Sequence, residues 1–406
     1  MYIKRHIEEA VRKRSREKGA VVLTGPRQVG KTTLMENLVP DLPKITFDYL
    51  DIRRSAQNEP GAFLELNPPP VFMDEVQYVP ELFPYIKIHL DKSKRKGAFF
   101  LTGSQSFALM KNVTESLAGR AGILELTGLS LREMRNEAWT APFLPTSDYL
   151  SERKKRKIDL PLKSVWEIIH RGSLPELFQN PEIDWQNYYS DYIKTYIERD
   201  VRKLTQVADE MQFLQFMSVC AAMTGQLLNL ASLARDVGVS EPTAKRWLSI
   251  LKTNGIVYLL KPYSNNAILK AVKTPKLYFL DTGLAAYLTR WLTPETLSSG
   301  AMRGSFFESF VVAEILKSYY NAGKEVDLYF LRDGNQKEID LLIFRDNTLF
   351  PMEIKATVNP SAGDIRHFQM LAAIPEIKTG AGGVICPAGE LLPLQGEHKI
   401  IPLWAV

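Results

Sequence analysis

Between Ala20 and Leu126, short apolar runs alternate with stretches of helical spacing. The runs are Ala20–Thr24, Ile45–Tyr49, Val71–Asp74, Ala98–Thr102 and Gly122–Leu126. Strand and helix in alternation predict a parallel sheet covered on both faces. Ahead of it, Met1–Lys18 reads as a helix. Ile3, Ile7 and Val11 make a narrow apolar stripe, and Lys4, Arg5, Arg12, Lys13, Arg14, Arg16 and Lys18 cover the rest. A solvated face is the expected meaning of those charges, and a contact with nucleic acid or an acidic partner is the alternative.

Farther on, Trp139–Lys163 combines Pro142, Pro145 and Pro161 with the block Glu152-Arg153-Lys154-Lys155-Arg156-Lys157, the pattern of an exposed linker or loop. Ser164–Leu204 reads as helical. Its stripe of Trp185, Tyr188, Tyr189, Tyr192, Ile193, Tyr196 and Ile197 suits packing better than base stacking. A helix-turn-helix pattern follows: Leu230–Val237, the turn Gly238-Val239-Ser240, then Glu241–Leu251 with Ser240 as cap and Pro242 in the first turn. Ile256–Leu260 gives the strand that a winged helix requires. Thr243, Lys245 and Arg246 are the side chains that would meet DNA if the second helix entered a major groove. Protein docking is the competing use of such a module. Toward the end, Phe306–Val311 begins an amphipathic helix, Glu325–Leu331 and Glu338–Phe344 alternate like hairpin strands, and Leu349–Lys355 is another strand.

The pattern therefore predicts an α/β protein in sequential units. A P-loop parallel-sheet domain covers 1–138, a linker 139–163, a helical region with a winged helix-turn-helix 164–295, and a last α/β domain 296–406.

The chemistry concentrates first at Gly25-Pro26-Arg27-Gln28-Val29-Gly30-Lys31-Thr32-Thr33, between an apolar strand and the first turns of a helix. This is GxxxxGK[ST] in its required context. Glycines permit backbone angles that let the loop amides face phosphates beside the positive end of a helix dipole. Lys31 would reach the β- and γ-phosphates, and the Thr32 hydroxyl would ligate Mg²⁺. Pro70-Val71-Phe72-Met73-Asp74-Glu75 then ends in two carboxylates, Asp74 to hold Mg²⁺ through water and Glu75 to polarise the attacking water. ATP and Mg²⁺ are the expected cofactors.

The fourth run ends at Thr102-Gly103-Ser104-Gln105, where Ser104, or failing it Gln105, fits a γ-phosphate sensor. An ordinary strand-end turn explains the same residues. Arg120, just before the fifth run, is the expected stabiliser of transition-state charge, within its own subunit or toward a neighbour. Capping of its own helix is the plainer explanation. In the last domain, Asp340, Glu353 and Lys355 spell D…ExK. Glu353 and Lys355 share a strand face, and Glu308 adds a further carboxylate. Two carboxylates can hold Mg²⁺ while the lysine orients water. Exposed strand charges account for so short a motif equally well.

Composition narrows this picture little. At 406 residues two or three domains are expected, and 45% hydrophobic residues suffice for several cores. A net charge of +5 permits a nucleic-acid or acidic partner without demanding one. Cys220 and Cys386, far apart and in apolar surroundings, suggest buried thiols in a reducing compartment and argue against a cysteine-based metal site. No apolar run reaches the roughly 18 residues of a membrane helix, and the N-terminus lacks a signal-peptide core. The expectation is a soluble, cytoplasmic protein without a membrane partner.

Taken together the motifs resemble a known family, the prokaryotic AAA-like P-loop ATPases of the extra-strand class that carry a C-terminal domain of unknown function. The resemblance rests on the glycine loop, Phe72-Met73-Asp74-Glu75, Leu101-Thr102-Gly103-Ser104 and Leu117-Ala118-Gly119-Arg120. It continues through Gly225-Gln226-Leu227-Leu228-Asn229, Tyr278-Phe279-Leu280-Asp281-Thr282-Gly283-Leu284, Phe307-Glu308, Glu338-Ile339-Asp340 and Glu353-Ile354-Lys355. It implies a restriction-endonuclease-like PD-(D/E)xK fold at the C-terminus, with Glu308, Asp340, Glu353 and Lys355 at a nuclease-like site. The expected function is a Mg-dependent ATPase coupled to a DNA-engaging winged helix and nuclease-like module. A nucleotide-dependent signalling switch that binds a protein partner without cutting DNA is the alternative. Either form would be compatible with an oligomer.

Overall fold

The computed structural model describes residues 2–104, 113, 115–196, 210–264 and 273–406. Five strands form the first sheet: β1 (Ala20–Thr24), β2 (Lys44–Thr46), β3 (Val71–Asp74), β4 (Phe99–Thr102) and β5 (Ala121–Glu125). Their order is β2-β3-β4-β1-β5, and every described pairing is parallel. The four-residue cores of β1, β3 and β4 are wholly buried, because helices cover both faces. β4 lies between β1 and β3, the strands that lead into the glycine loop and into Glu75. That is the extra strand the resemblance implied.

The N-terminus departs from expectation. The helix is Glu8–Glu17, and residues 2–7 lead into it without joining it. Ile7 and Val11 are buried as their spacing predicts, but Arg5 is only 3% exposed. Arg5 is thus no part of a solvated face.

The linker reading of 139–163 also fails. Helix Ser147–Lys154 is capped by the Thr146 hydroxyl, and Phe143, Tyr149 and Leu150 enter the main core. Arg153, from the middle of the charge block, is fully buried. It pairs with Glu137 at 2.7 Å and donates to the Trp404 carbonyl. Arg132 donates to the Val406 carbonyl at 2.8 Å. The segment is a strap bonded to the end of the chain, and Lys154 to Lys157 are its exposed remainder.

The middle region holds helices Leu162–Arg171, Trp185–Tyr196, Glu210–Ala222, Leu230–Val237 and Glu241–Thr253. Trp185, Tyr189, Tyr192, Ile193 and Tyr196 are buried, as packing residues should be. Ile197 and the rest of the run to Leu204 lie outside the described residues. Strands β6 (Gln226–Leu227), β7 (Val257–Pro262) and β8 (Lys276–Phe279) pair antiparallel in the order β6-β8-β7.

β7 also pairs in parallel with β9 (Asp327–Arg332), which joins this small sheet to the last one. β10 (Glu338–Arg345), β11 (Thr348–Ile354), β12 (Lys378–Thr379), β13 (Gly383–Cys386), β14 (Leu392–Gln395) and β15 (His398–Pro402) complete it. Its order is β14-β15-β13-β11-β10-β9-β7-β8-β6, with β12 beside β11. The sheet is therefore continuous across the boundary expected at 295. Helix Arg303–Asn321 packs on it with nearly every side chain buried. One apolar core runs from Ile7 through Trp185 and Phe310 to Val406. Cys220 and Cys386 are buried free thiols, and burial pushes Cys386 up to about 11.

Candidate functional site

The glycine loop leaves the C-terminal end of β1 and turns into helix Lys31–Leu38. Gly25 has φ +145°, and a Cβ there would stand 2.0 Å from the Leu126 carbonyl oxygen, so no other residue fits. Gly30 caps the helix at φ +89°. The Lys31 ammonium donates to the Gly25 and Pro26 carbonyls, at 3.0 and 2.7 Å. It thus lies across the loop it belongs to. Pro26 and Arg27 are half-buried, Gln28 and Thr33 exposed, Val29 buried.

Parallel pairing brings the ends of β3 and β4 beside this loop. The Thr32 hydroxyl donates to both Asp74 oxygens, at 2.9 and 3.1 Å, and the Thr102 hydroxyl donates to Asp74 as well. A hydroxyl and a carboxylate at this spacing on a phosphate-facing helix suit a Mg²⁺ ion, held by Thr32 directly and by Asp74 through water. Glu75 follows in the left-handed region, at φ +60°, and accepts from the Gln77 side-chain amide. Ser104 is buried, and its hydroxyl has no hydrogen-bond partner among the described residues. It lies two residues past β4, the strand between β1 and β3, where a γ-phosphate would need a donor. Gln105 lies outside the described residues.

Arg120 does not join this site. Its carbonyl accepts the Gly19 and Ala20 amides at the start of β1. The glycine loop leaves the other end, about 13 Å away along four steps of roughly 3.3 Å. Arg120 instead grips the exposed Asp91 at 2.5 and 2.9 Å. The direction of the strand thus places Arg120 at the opposite end of β1 from its own subunit's glycine loop.

Sequence reasoning missed what supports the loop from behind. The Arg5 guanidinium donates to the Val29 carbonyl at 2.8 Å and to the Thr127 carbonyl at 2.8 Å, and pairs with Glu133 at 3.0 Å. Glu133 also accepts from the His6 and Ser130 amides, both at 2.8 Å. Burial pushes the Glu133 carboxyl up, but the Arg5 charge, the Ser130 amide and the nearby His6 ring outweigh it and hold the group at about 2. Arg5 sat in a run of basic residues, and only the placement of Glu133 distinguishes it.

The four residues of the predicted nuclease-like site do come together. Asp340 on β10 and Glu353 on β11 share the Lys355 ammonium, at 3.0 and 2.7 Å. Glu308, on helix Arg303–Asn321, accepts from Lys276 at 2.9 Å and Tyr278 at 2.6 Å. Lys276 also pairs with Glu338 at 2.5 Å. Burial, then the neighbouring Asp340, pushes Glu353 up to about 9. Burial raises Asp340 too, but Lys355, Lys276 and the Ile354 amide bring it below the usual range. The cluster thus holds its carboxylates against one buried lysine, Lys276, and one half-buried lysine, Lys355. Among the described residues, no group of three or more His, Cys, Asp or Glu side chains is arranged to hold a metal ion.

On helix Glu241–Thr253, Lys245 and Arg246 are exposed, whereas Thr243 is half-buried and its hydroxyl lies 2.9 Å from that of the cap Ser240. The remaining family motifs prove to be staples. Asn229 caps its helix through the Ser232 amide at 2.9 Å. Asp281 accepts from the Leu284 and Ser173 amides and from the Tyr189 hydroxyl, at 2.6 to 2.8 Å. Among the described residues no helix is long and apolar enough to cross a membrane.

Comparison with known proteins matches successive parts of the chain to known families. Residues 17–135 match a family described as an AAA domain. Residues 162–295 and 303–406 match two domains of unknown function, DUF8612 and DUF4143. Uncharacterized proteins of Mycobacterium bovis and Mycobacterium tuberculosis are each 28% identical over 386 residues, 94% of this chain and 79% of theirs. A Walker-type ATPase of Pyrococcus abyssi is similar at 17% identity and a TM-score of 0.44, over 71% of this chain and 96% of that one. Residues 17–135 thus combine a match to an AAA domain with the loop geometry of a P-loop domain.

Proposed function

We propose that this protein is a Mg-dependent ATPase whose nucleotide site governs a DNA-engaging middle domain. The observation that carries the ATPase half is the contact of Thr32 with Asp74 at the mouth of the glycine loop, with Glu75 the next residue. Mg²⁺, when bound, neutralises phosphate charge and orients the γ-phosphoryl group. Lys31 leaves the loop carbonyls for the β- and γ-phosphates. Ser104 donates to the γ-phosphate, and Glu75 accepts the proton of the attacking water once Gln77 releases it. The arrangement of three helices with the β6-β8-β7 sheet supports a winged helix, and the exposed Lys245 and Arg246 would meet DNA phosphates. ATP turnover with and without duplex DNA tests the reading. Turnover that persists unchanged in Lys31→Ala and Glu75→Gln would refute it.

The neutralised acidic cluster favours a second reading for the last domain, a partner-binding module that does not cut DNA. Incubation with DNA and Mg²⁺ or Mn²⁺ decides the point. Cleavage that disappears in Asp340→Ala and Lys355→Ala would assign a nuclease after all.

A further inference from the structure

We infer that Arg5 is a positioning residue for the phosphate cradle, acting through the Val29–Gly30 peptide. The inference rests on the nucleotide reading of the loop. A trans peptide directs its carbonyl and the following N–H to opposite sides. Arg5 holds the Val29 oxygen on the inner side at 2.8 Å. The Gly30 N–H is thereby turned outward, to the side from which a polyphosphate approaches. Gly30, at φ +89°, has no side chain to fix that plane, and Gln28 before it is also left-handed at φ +60°. The buried Val29 side chain anchors this stretch on the core, and the guanidinium fixes the direction of the Val29 carbonyl.

The geometry is rigid for two reasons. Arg5 and Glu133 are a buried ion pair, their side chains 4% and 0% exposed. The same guanidinium also holds the Thr127 and Gly128 carbonyls, at 2.8 and 3.3 Å, where the chain leaves β5. The fork geometry that makes these contacts at once belongs to arginine and not to lysine.

The test compares Arg5→Lys, Arg5→Met/Glu133→Gln and Glu133→Gln, each checked for native circular dichroism, by titration with a fluorescent ATP analogue and by steady-state turnover. The double variant removes the pair without leaving a buried charge unpartnered. Loss of one oriented phosphate donor predicts roughly 10- to 100-fold weaker nucleotide binding in the double variant. Arg5→Lys should recover part of that loss. Glu133→Gln, which leaves Arg5 on Val29, should bind nucleotide within about threefold of wild type although it unfolds more easily. Equal loss of affinity in Glu133→Gln and in the Arg5 variants, or wild-type affinity in the double variant, would overturn the inference and leave the pair a fold staple. If the wild-type protein itself binds no ATP, the nucleotide reading has failed instead.

Discussion

The Thr32 hydroxyl reaches both oxygens of Asp74, at 2.9 and 3.1 Å, across two elements separated by 42 positions in the chain. Only the parallel order β3-β4-β1 makes that meeting possible. Removing the hydroxyl should therefore act on the metal before the nucleotide. Thr32→Val is expected to weaken Mg²⁺ affinity roughly 10- to 100-fold. Calorimetric titration of ATP with and without Mg²⁺ would show it. Metal-free ATP binding should stay near the wild-type value.

Glu75 stores strain beside the glycine loop. Its φ of +60° suits glycine, and a side chain in that region costs about 1 kcal/mol. Glu75→Gly should raise stability by roughly that amount in urea unfolding while abolishing turnover, the mark of a strained functional position. Glu75→Gln should bind ATP normally and lose roughly 10²- to 10⁴-fold in turnover. Gln77→Ala frees Glu75, so turnover without DNA should change while nucleotide affinity stays constant.

Glu133 gives the fold a defined acid limit. Its carboxyl lies at about 2 in the folded state, against an ordinary 4.5. A depressed carboxyl stabilises the fold above the ordinary value, and that contribution is lost as pH falls toward the folded one. It amounts to roughly 3 kcal/mol at neutral pH. Wild type should therefore exceed Glu133→Gln in stability at pH 7, and the gap should narrow between about pH 4.5 and pH 2. Thermal unfolding across that range is the check.

Lys245 and Arg246 stand exposed on the helix Glu241–Thr253. If they meet phosphates, Lys245→Glu/Arg246→Glu should weaken duplex binding and lower the salt slope by roughly 2. Fluorescence anisotropy between low and physiological salt measures both. An unchanged slope would move the contact elsewhere and favour a protein partner.

Each part of the candidate nucleotide site is marked locally in the sequence, although the parts are far apart along the chain. The loop, Asp74 and Ser104 each close a continuous apolar run, so strand ends and chemistry are read together. Arg5 was illegible for the opposite reason. Its partners Val29 and Glu133 are distant, and its neighbours carry the same charge. Arg153 was hidden in the same way, a buried cation inside a block whose other members face water. Arg120, just before the fifth strand of a parallel sheet, lies at the N-terminal strand ends, opposite the glycine loop, and pairs with Asp91 instead. In the last domain the D…ExK residues did converge, but Lys276, which binds Glu308 and Glu338, lies two residues ahead of the Tyr278–Leu284 motif and outside it. The pairing of β7 with β9 that merges two expected domains leaves no local trace at all.

The central claim is that Gly25–Thr33 cradles a nucleotide together with Mg²⁺, and nucleotide titration of wild type against Lys31→Ala tests it most directly. Saturable, Mg²⁺-enhanced ATP binding that Lys31→Ala loses by at least tenfold is the predicted result. Equal affinity in the two proteins, or no binding in either, would contradict it.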